Sequence, residues 1–454
     1  MQNGTALTLP PPSCKKSSFR TAQGAPPGRT QKPAPAPPPA PNASAARRSP
    51  GQTIQKHASH AALSRSFRGS EPAAGFMILI HLYGVLLFFY VTFRLILPAP
   101  LPPRGKALAA TLALLVSQYH LCVRFLSGSL SSPEMPYFVL AAFSAAFIVM
   151  TVIFALLLLR DGLRLGLLLV RKLTCRRSTP FSPGRRAVAL AGLGLTVGAY
   201  GFKEALRIPA VKTTEIFLRR LPAALHGLVV VQLTDLHASA LLHAPRVAAI
   251  VAAVNALRPD LIVCTGDLVD GTTTNRDADV APLGLLRARY GVYACEGNHE
   301  YYADYAGWMR HFAALGLPLL HNAHTVVDIG GTPLVIAGLN DPMAPLFGRP
   351  GPDLEKALAG APAGAATLLL AHQPVGAREN AAHGIDLQIS GHTHGGQMLG
   401  FDQIVAARND GFVRGLYDVD AMRLFVGPGV GLWAGFPVRL GVPAEISRLV
   451  LRTA

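Results

Sequence analysis

The sequence predicts an α/β domain preceded by an α-helical membrane region, and three observations carry that prediction. Apolar runs of membrane-spanning length crowd residues 77–203. From residue 204 onward, short Val/Leu/Ile runs alternate with helix-period segments, as in βαβ units. His, Asp and Asn residues fall directly after several of the short runs, where an α/β fold presents its chemistry.

Residues 1–76 are rich in Pro, Ala, Ser and Gln and carry ten Lys/Arg against one acidic residue. With so few large apolar side chains to offset ordering entropy, this segment is expected to be disordered. It is not a signal peptide, because no apolar core closely follows its charges. The runs Met77–Leu97, Ala107–Leu126 and Tyr137–Leu159 each reach the ~20 residues that cross a bilayer core. The shorter, Gly-rich run Ala187–Phe202 is taken as a fourth span, which makes 77–203 a membrane region of about four helices. Between the last two runs, Arg160–Arg186 holds eight Lys/Arg and one Asp. Leu163, Leu165, Leu167, Leu168 and Leu169 within it are expected to form an interfacial stretch.

The positive-inside rule then places the 160–186 loop in the cytoplasm, together with Arg104 and Lys106. The loop Ser127–Pro136 and everything from residue 204 fall on the non-cytoplasmic side of a bacterial-type cell membrane, with His120 and Arg124 snorkelling near the outer face. The ten basic residues before Met77 contradict this orientation. One resolution is a native start at Met77, with residues 1–76 an upstream extension; the other is a true tail.

The formal charge of +17 invites a nucleic-acid reading, and its distribution argues against one. Residues 1–203 hold 23 Lys/Arg and 3 Asp/Glu, whereas residues 204–454 hold 19 and 22. A polyanion-binding domain would carry its own basic face. The five cysteines form no CxxC pair, so neither a zinc finger nor a disulfide framework follows. Cys264 and Cys295 are expected to be buried thiols, able to pair only if their strands are neighbours.

In the 204–454 domain, strands are expected at Leu228–Leu233, Leu261–Cys264, Val292–Cys295, Leu334–Ala337, Thr367–Ala371, Leu387–Ile389, Arg423–Val426 and Ile446–Leu451. Pro245–Leu257 reads as a helix, with Val247, Ile250, Val251, Val254 and Leu257 at helical spacing and Pro245 in its first turn. Five segments follow these strands or lie just beyond them: Asp235-Leu236-His237, Gly266-Asp267-Leu268-Val269-Asp270, Gly297-Asn298-His299-Glu300, His372, and Gly391-His392-Thr393-His394. Asp, Asn and His suit divalent ions such as Mn, Fe or Zn. Asp235 and His237, like His392 and His394, are two apart and project to one side of an extended segment. A glycine before Asp267, Asn298 and His392 lets the backbone turn sharply there. A two-metal hydrolytic site needs one bridging carboxylate, and Asp267 is the natural bridge.

These motifs, in this order, resemble the calcineurin-like metallophosphoesterase superfamily over residues ~225–451. The finer match is to its membrane-anchored branch of YkuE-type and vertebrate transmembrane metallophosphoesterase-domain proteins. It is carried by Gly297–Tyr302, Ala371-His372-Gln373-Pro374, Ser390–Gln397 and Pro437-Val438-Arg439-Leu440-Gly441. The resemblance implies a four-layer αββα sandwich and two divalent ions, one held by Asp235, His237, Asp267 and His394 and the other by Asp267, Asn298, His372 and His392. It also implies a metal-bridging hydroxide that attacks phosphorus in line. His299, oriented by Asp270, would act as acid or as transition-state stabiliser.

The substrate is then a phosphomonoester, phosphodiester or pyrophosphate; anchoring favours lipid-linked ones, with membrane lipids as partners and no nucleic acid. The competing reading is a multi-span receptor or transport-like protein whose metal domain is a sensory module. The spans carry no clustered charges that would mark a transport path. Outside the motifs, Asp341 is either a ligand-orienting residue or part of a turn. Tyr301 and Tyr302 either wall a cleft or pack the loop, and Arg439 either pairs a phosphate or caps a turn. The apolar loop Gly427–Phe436, with Trp433, meets lipid or forms core.

Overall fold

The computed structural model describes residues 74–174 and 183–454. The expectations for the N-terminal segment fall outside them, except that its last three residues open the first helix rather than a coil. In chain order the N-terminal helices are α1 (Ala74–Val91), α2 (Pro103–Ser117), α3 (Tyr119–Ser127), α4 (Tyr137–Thr174) and α5 (Pro183–Ala205). Among the described residues, two helices are long and apolar enough to cross a membrane, in Ile78–Ile96 and Tyr137–Val170, or three if the bent pair α2–α3 is one span.

The described helices differ in detail from the apolar runs in three places. The second run is not straight, since α2 and α3 meet at 66°. The break falls at Gln118, and the residues just past it turn toward the α/β domain: Tyr119 Oη donates to Ala434 O at 2.8 Å, and His120 Nε2 lies 2.6 Å from Gly435 O. His120 is therefore buried against protein rather than snorkelling. The expected interfacial stretch at 163–169 is not separate either, because α4 runs through it for 38 residues, about 57 Å of helix. The fourth run is helical but not of spanning hydropathy. Its glycines serve packing, and a Cβ on Gly194 or Gly198 would stand 2.3 or 2.7 Å from Ile153 or Val149 of α4.

The remaining chain builds two sheets. The first has the order β1-β11-β2-β3-β4, from Ala210–Leu218 (β1), Val229–Leu233 (β2), Leu261–Thr265 (β3), Val292–Cys295 (β4) and Glu445–Thr453 (β11). The second has the order β5-β6-β7-β8-β10-β9, from Ala323–Ile329 (β5), Thr332–Gly338 (β6), Ala366–Leu370 (β7), Leu387–Ser390 (β8), Gly415–Val419 (β9) and Met422–Val426 (β10). Both sheets are mixed: β2, β3 and β4 run parallel, as do β6, β7, β8 and β10, while β11 opposes β2, β5 opposes β6 and β9 opposes β10. The helices are α6 (Ala244–Ala256), α7 (Thr273–Val280), α8 (His299–Tyr302), α9 (Tyr305–Ala314), α10 (Leu354–Leu358), α11 (Ala377–Ala381) and α12 (Asp402–Ala407).

Strand alternation sorts the apolar residues into layers. Val230, Leu261, Val263, Ile336, Leu368, Leu387 and Phe425 form the core between the sheets. Val231, Leu233, Ile262 and Ala294 face the opposite way, toward Val247, Ile250 and Val254 of α6 and Trp308 and Phe312 of α9. On the outer side of the second sheet, Ala337, Leu369 and Leu424 pack with Leu354 and Ala357 of α10 and Ala377 and Ala381 of α11. The order is helices, sheet, sheet, helices.

β3 and β4 are neighbours, yet Cys264 faces the helices and Cys295 the other sheet, and both are free thiols. A further core joins the bundle to the domain, with Leu140, Phe147 and Ile148 of α4 packed with Ala240, Leu241, Leu432, Ala434 and Val438.

Candidate metal centre

The parallel strands β2, β3, β4, β7 and β8 all end at one edge, and each of the five sequence segments leaves from there. Asp235, His237, Asp267, His392 and His394 take φ between 47° and 70°, the left-handed region. That conformation costs a non-glycine residue on the order of 1–3 kcal/mol and persists only where surroundings enforce it. The motif glycines differ in purpose. Gly266 does turn at positive φ, but Gly391 does not. A Cβ at Gly391 would stand 2.0 Å from Thr234 Oγ1 and 2.4 Å from Asp235 Oδ2, so its role is to let two strand ends approach.

Six of the seven expected ligands converge in two groups. Asp235, His237 and His394 place one donor atom each within 4.8 Å of the others, and so do Asp267, His372 and His392. His237 Nε2 lies 3.0 Å from His394 Nε2, which is 3.4 Å from Asp235 Oδ1. In the second group His372 Nε2 lies 3.3 Å from His392 Nδ1 and 3.2 Å from Asp267 Oδ2. Asp267 Oδ2 is also 3.6 Å from His237 Nε2, which sets it between the groups.

These spacings fit a divalent ion, since two ligands at 2.0–2.1 Å on a tetrahedral ion stand about 3.3 Å apart. A second observation points the same way. Asn298 donates Nδ2 to Tyr302 Oη at 3.0 Å, while its buried Oδ1 has no hydrogen-bond partner. An orphaned buried acceptor is costly unless something such as a cation meets it.

The remaining nitrogen of several rings is held as metal-ligating histidines require. His372 Nδ1 lies 2.7 Å from Thr265 O. His237 Nδ1 lies 3.0 Å from Asp270 Oδ1, and the same oxygen lies 2.6 Å from His299 Nδ1. Asp270 therefore orients two rings rather than the one expected. Burial opposes charge on His299, but the Asp267 and Asp270 carboxylates outweigh it and hold its pKa up to about 9. Burial would raise Asp270, yet His237 and His299 draw it down to about 2. His392 goes the other way, lowered to about 3 by burial and by His372 beside it.

Several residues that support the site carried no clear signal. Glu300 accepts the backbone N–H groups of Gly297, Asp267 and Leu268 at 2.7, 3.0 and 2.7 Å, pinning two motif loops together. Its place beside His299 was its only hint. Arg439, read as pairing a phosphate or capping a turn, instead braces the backbone behind His394. It is fully buried and donates to His394 O at 2.7 Å and Gly431 O at 2.9 Å. Asp341, raised to about 6 chiefly by burial, accepts from Gln373 Nε2 at 3.0 Å and so acts one residue away from His372. Tyr301 packs the loop against Tyr305, whereas Tyr302 lies against His299 with ring centres 4.8 Å apart. The 427–436 loop is core rather than lipid-facing at Ala434, and Trp433 covers His299 at 5.9 Å.

Comparison with known proteins agrees with this geometry. Residues 228–396 match the calcineurin-like phosphoesterase family model. A transmembrane protein with metallophosphoesterase domain from Danio rerio is 34% identical over 349 residues, covering 75% of this chain and 78% of that one. The chain belongs to the calcineurin-like metallophosphoesterases.

The Bos taurus protein of the same description is 37% identical over 59% of this chain and 62% of its own length. The metallophosphoesterase YkuE of Bacillus subtilis is 30% identical over 58% of this chain and 94% of its own length. Members of this family are metal-dependent phosphoesterases; both vertebrate relatives are named transmembrane proteins, and this chain has, among its described residues, two helices long and apolar enough to cross a membrane.

Proposed function

We propose that this metallophosphoesterase holds two divalent ions and uses them to hydrolyse a phosphoester at the membrane. Asp235, His237, Asp267 and His394 would hold one ion, and Asp267, Asn298, His372 and His392 the other, drawn from Mn, Fe and Zn. The observation that carries this is the position of Asp267 Oδ2, within 3.6 Å of a nitrogen in each donor group. When bound, such ions supply Lewis acidity, an activated water and a template for in-line displacement.

The protein's own contribution is a proton held at a defined atom. His299 Nδ1 is committed to Asp270, which leaves Nε2, 4.0 Å from Asp267 Oδ2, facing the centre. From there Nε2–H donates to the leaving oxygen or to charge developing on phosphorus. Tyr302 and Trp433 both pack edge-on with the ring, at 4.8 and 5.9 Å between centres, and shield it from bulk water. Glu300, by tying the Asp267 loop to the Gly297 loop, keeps the ligand carboxylate and the acid in register.

The same reading extends to orientation. Arg94 Nε bonds Asp161 at 2.6 Å and Lys106 Nζ bonds Leu97 O at 2.6 Å at one end of the bundle, while Glu134 pairs with Arg276 of α7 at the other. Arg94, Lys106 and Arg160 thus lie at the end away from the α/β domain, which supports a multi-pass arrangement with that domain outside the cytoplasm.

Full-length protein purified in detergent, assayed on nitrophenyl phosphate mono- and diesters with Mn and with its metal content measured, tests the proposal. Two ions per chain and turnover abolished by a chelator are expected. Bound metal without turnover under Mn, Fe or Zn would refute the hydrolytic reading.

A further inference from the structure

We propose that the substrate's phosphorus is carried on a membrane lipid, and that an apolar strip beside the metal centre seats the α/β domain on the bilayer so that lipid headgroups reach it. This rests on the phosphoesterase reading above and names its substrate class. The strip is Leu399, Phe401 and Ile404, at the start of α12, which are 66, 37 and 59% exposed. Scattered exposed apolar residues are ordinary, but three within six positions beside a membrane bundle form a patch.

Two separate chains of contact join the strip to the helices. The Phe401 ring packs on Phe436 at 5.7 Å, which in turn packs on Phe147 of α4 at 6.2 Å. Leu399 N donates to Leu440 O at 3.1 Å, and the neighbouring Arg439 N donates to Gly201 O of α5 at 3.0 Å. The strip therefore adjoins the bundle, on which Leu193, Leu195 and Tyr200 of α5 are exposed.

It is also continuous with the chemistry. Three residues before Phe436, Trp433 packs on His299, and Tyr302 packs on the ring as well. The group leaving toward His299 Nε2 thus meets the aromatic rings of Tyr302 and Trp433. Two arginines bonded to the 391–397 segment are already engaged: Arg439 is buried behind His394, and Arg414 bonds Gly395 O at 2.6 Å and Asp402 at 3.0 Å. A nucleotide with several phosphates gains little here. An amphiphile with one phosphorus centre and an apolar body matches both the rings and the strip.

The test compares full-length enzyme on phosphatidate and phosphatidylglycerol in phosphatidylcholine vesicles with the same enzyme on glycerol phosphate and bis-nitrophenyl phosphate in solution. At least one lipid is expected to be turned over about tenfold or more better, by kcat/KM, than its soluble headgroup. A Leu399→Ser, Ile404→Ser double variant is expected to lose most of that advantage while hydrolysing bis-nitrophenyl phosphate as before. A Leu399→Met, Ile404→Leu variant is expected to keep the advantage. Equal rates on lipid and headgroup, or equal loss of the double variant on both, would overturn the lipid assignment and leave the phosphoesterase reading intact. No hydrolysis of any ester, soluble or lipid, would overturn that reading and this inference with it.

Discussion

In the sheets each strand residue has a set destination: Val230 faces the other sheet, and Val231, its neighbour, faces the helices. In the membrane bundle adjacent residues differ without such a rule. Leu157 of α4 is fully buried while Leu158 and Leu159 are exposed, and all three are leucine. Water sorts apolar from polar in the first region. In the second, lipid accepts the side chains that face outward, so hydropathy no longer tells inside from outside. The metal centre belongs to the first region, held by strand ends, yet it leans on the second through the 432–440 loop. The catalytic geometry and the membrane docking should therefore respond separately to mutation.

The largest expected effect is on the side of the strand ends. Asp267→Asn should lose metal and lower kcat/KM by roughly 10³-fold or more, because one carboxylate serves both donor groups. His299→Ala is expected to cost about 10²-fold or more in kcat with metal content unchanged, and retained activity on the best substrate would refute its role. Asp270→Asn, which loosens His237 and His299 together, should cost about 10–100-fold and weaken metal retention, both measurable on one preparation.

On the bundle side, Arg276→Met breaks the pairs with Glu134 and Asp279. It should lower stability by about 1–2 kcal/mol, read as a fall of a few degrees in Tm, with turnover of a soluble ester unchanged. A large loss of turnover would show that the two regions are not separable. The smallest effect belongs to Arg452→Met, whose surface pair with Glu215 should contribute about 0.5 kcal/mol or less.

The same contrast explains what was legible in the sequence. All eight expected strands exist, and so does the helix over 244–256. The three that escaped, β1, β5 and β9, are sheet edges paired on one side only. Their outward faces carry Lys212, Thr213 and Glu215 or Asp328 and Asp418, which blurs the alternation that reveals a buried strand. The candidate ligands stand out in the sequence because strand end and donor, often with a glycine between them, lie within a few residues of one another.

Arg439 was not, since it is 45 positions from His394 and only the fold brings them together. The bend at Gln118 was equally hidden. It answers carbonyls of Ala434 and Gly435, more than 300 residues away in sequence. Hydropathy reads the run as one span because it cannot register a hydrogen bond from another part of the chain.

The central claim is that Asp267 is shared by two neighbouring ions. Electron paramagnetic resonance of the Mn-loaded, full-length protein tests it most directly. An exchange-coupled pair signal, at two Mn per chain, is the expected result, and it should vanish in Asp267→Asn. An isolated six-line Mn signal at one ion per chain, unaffected by that substitution, would contradict the account.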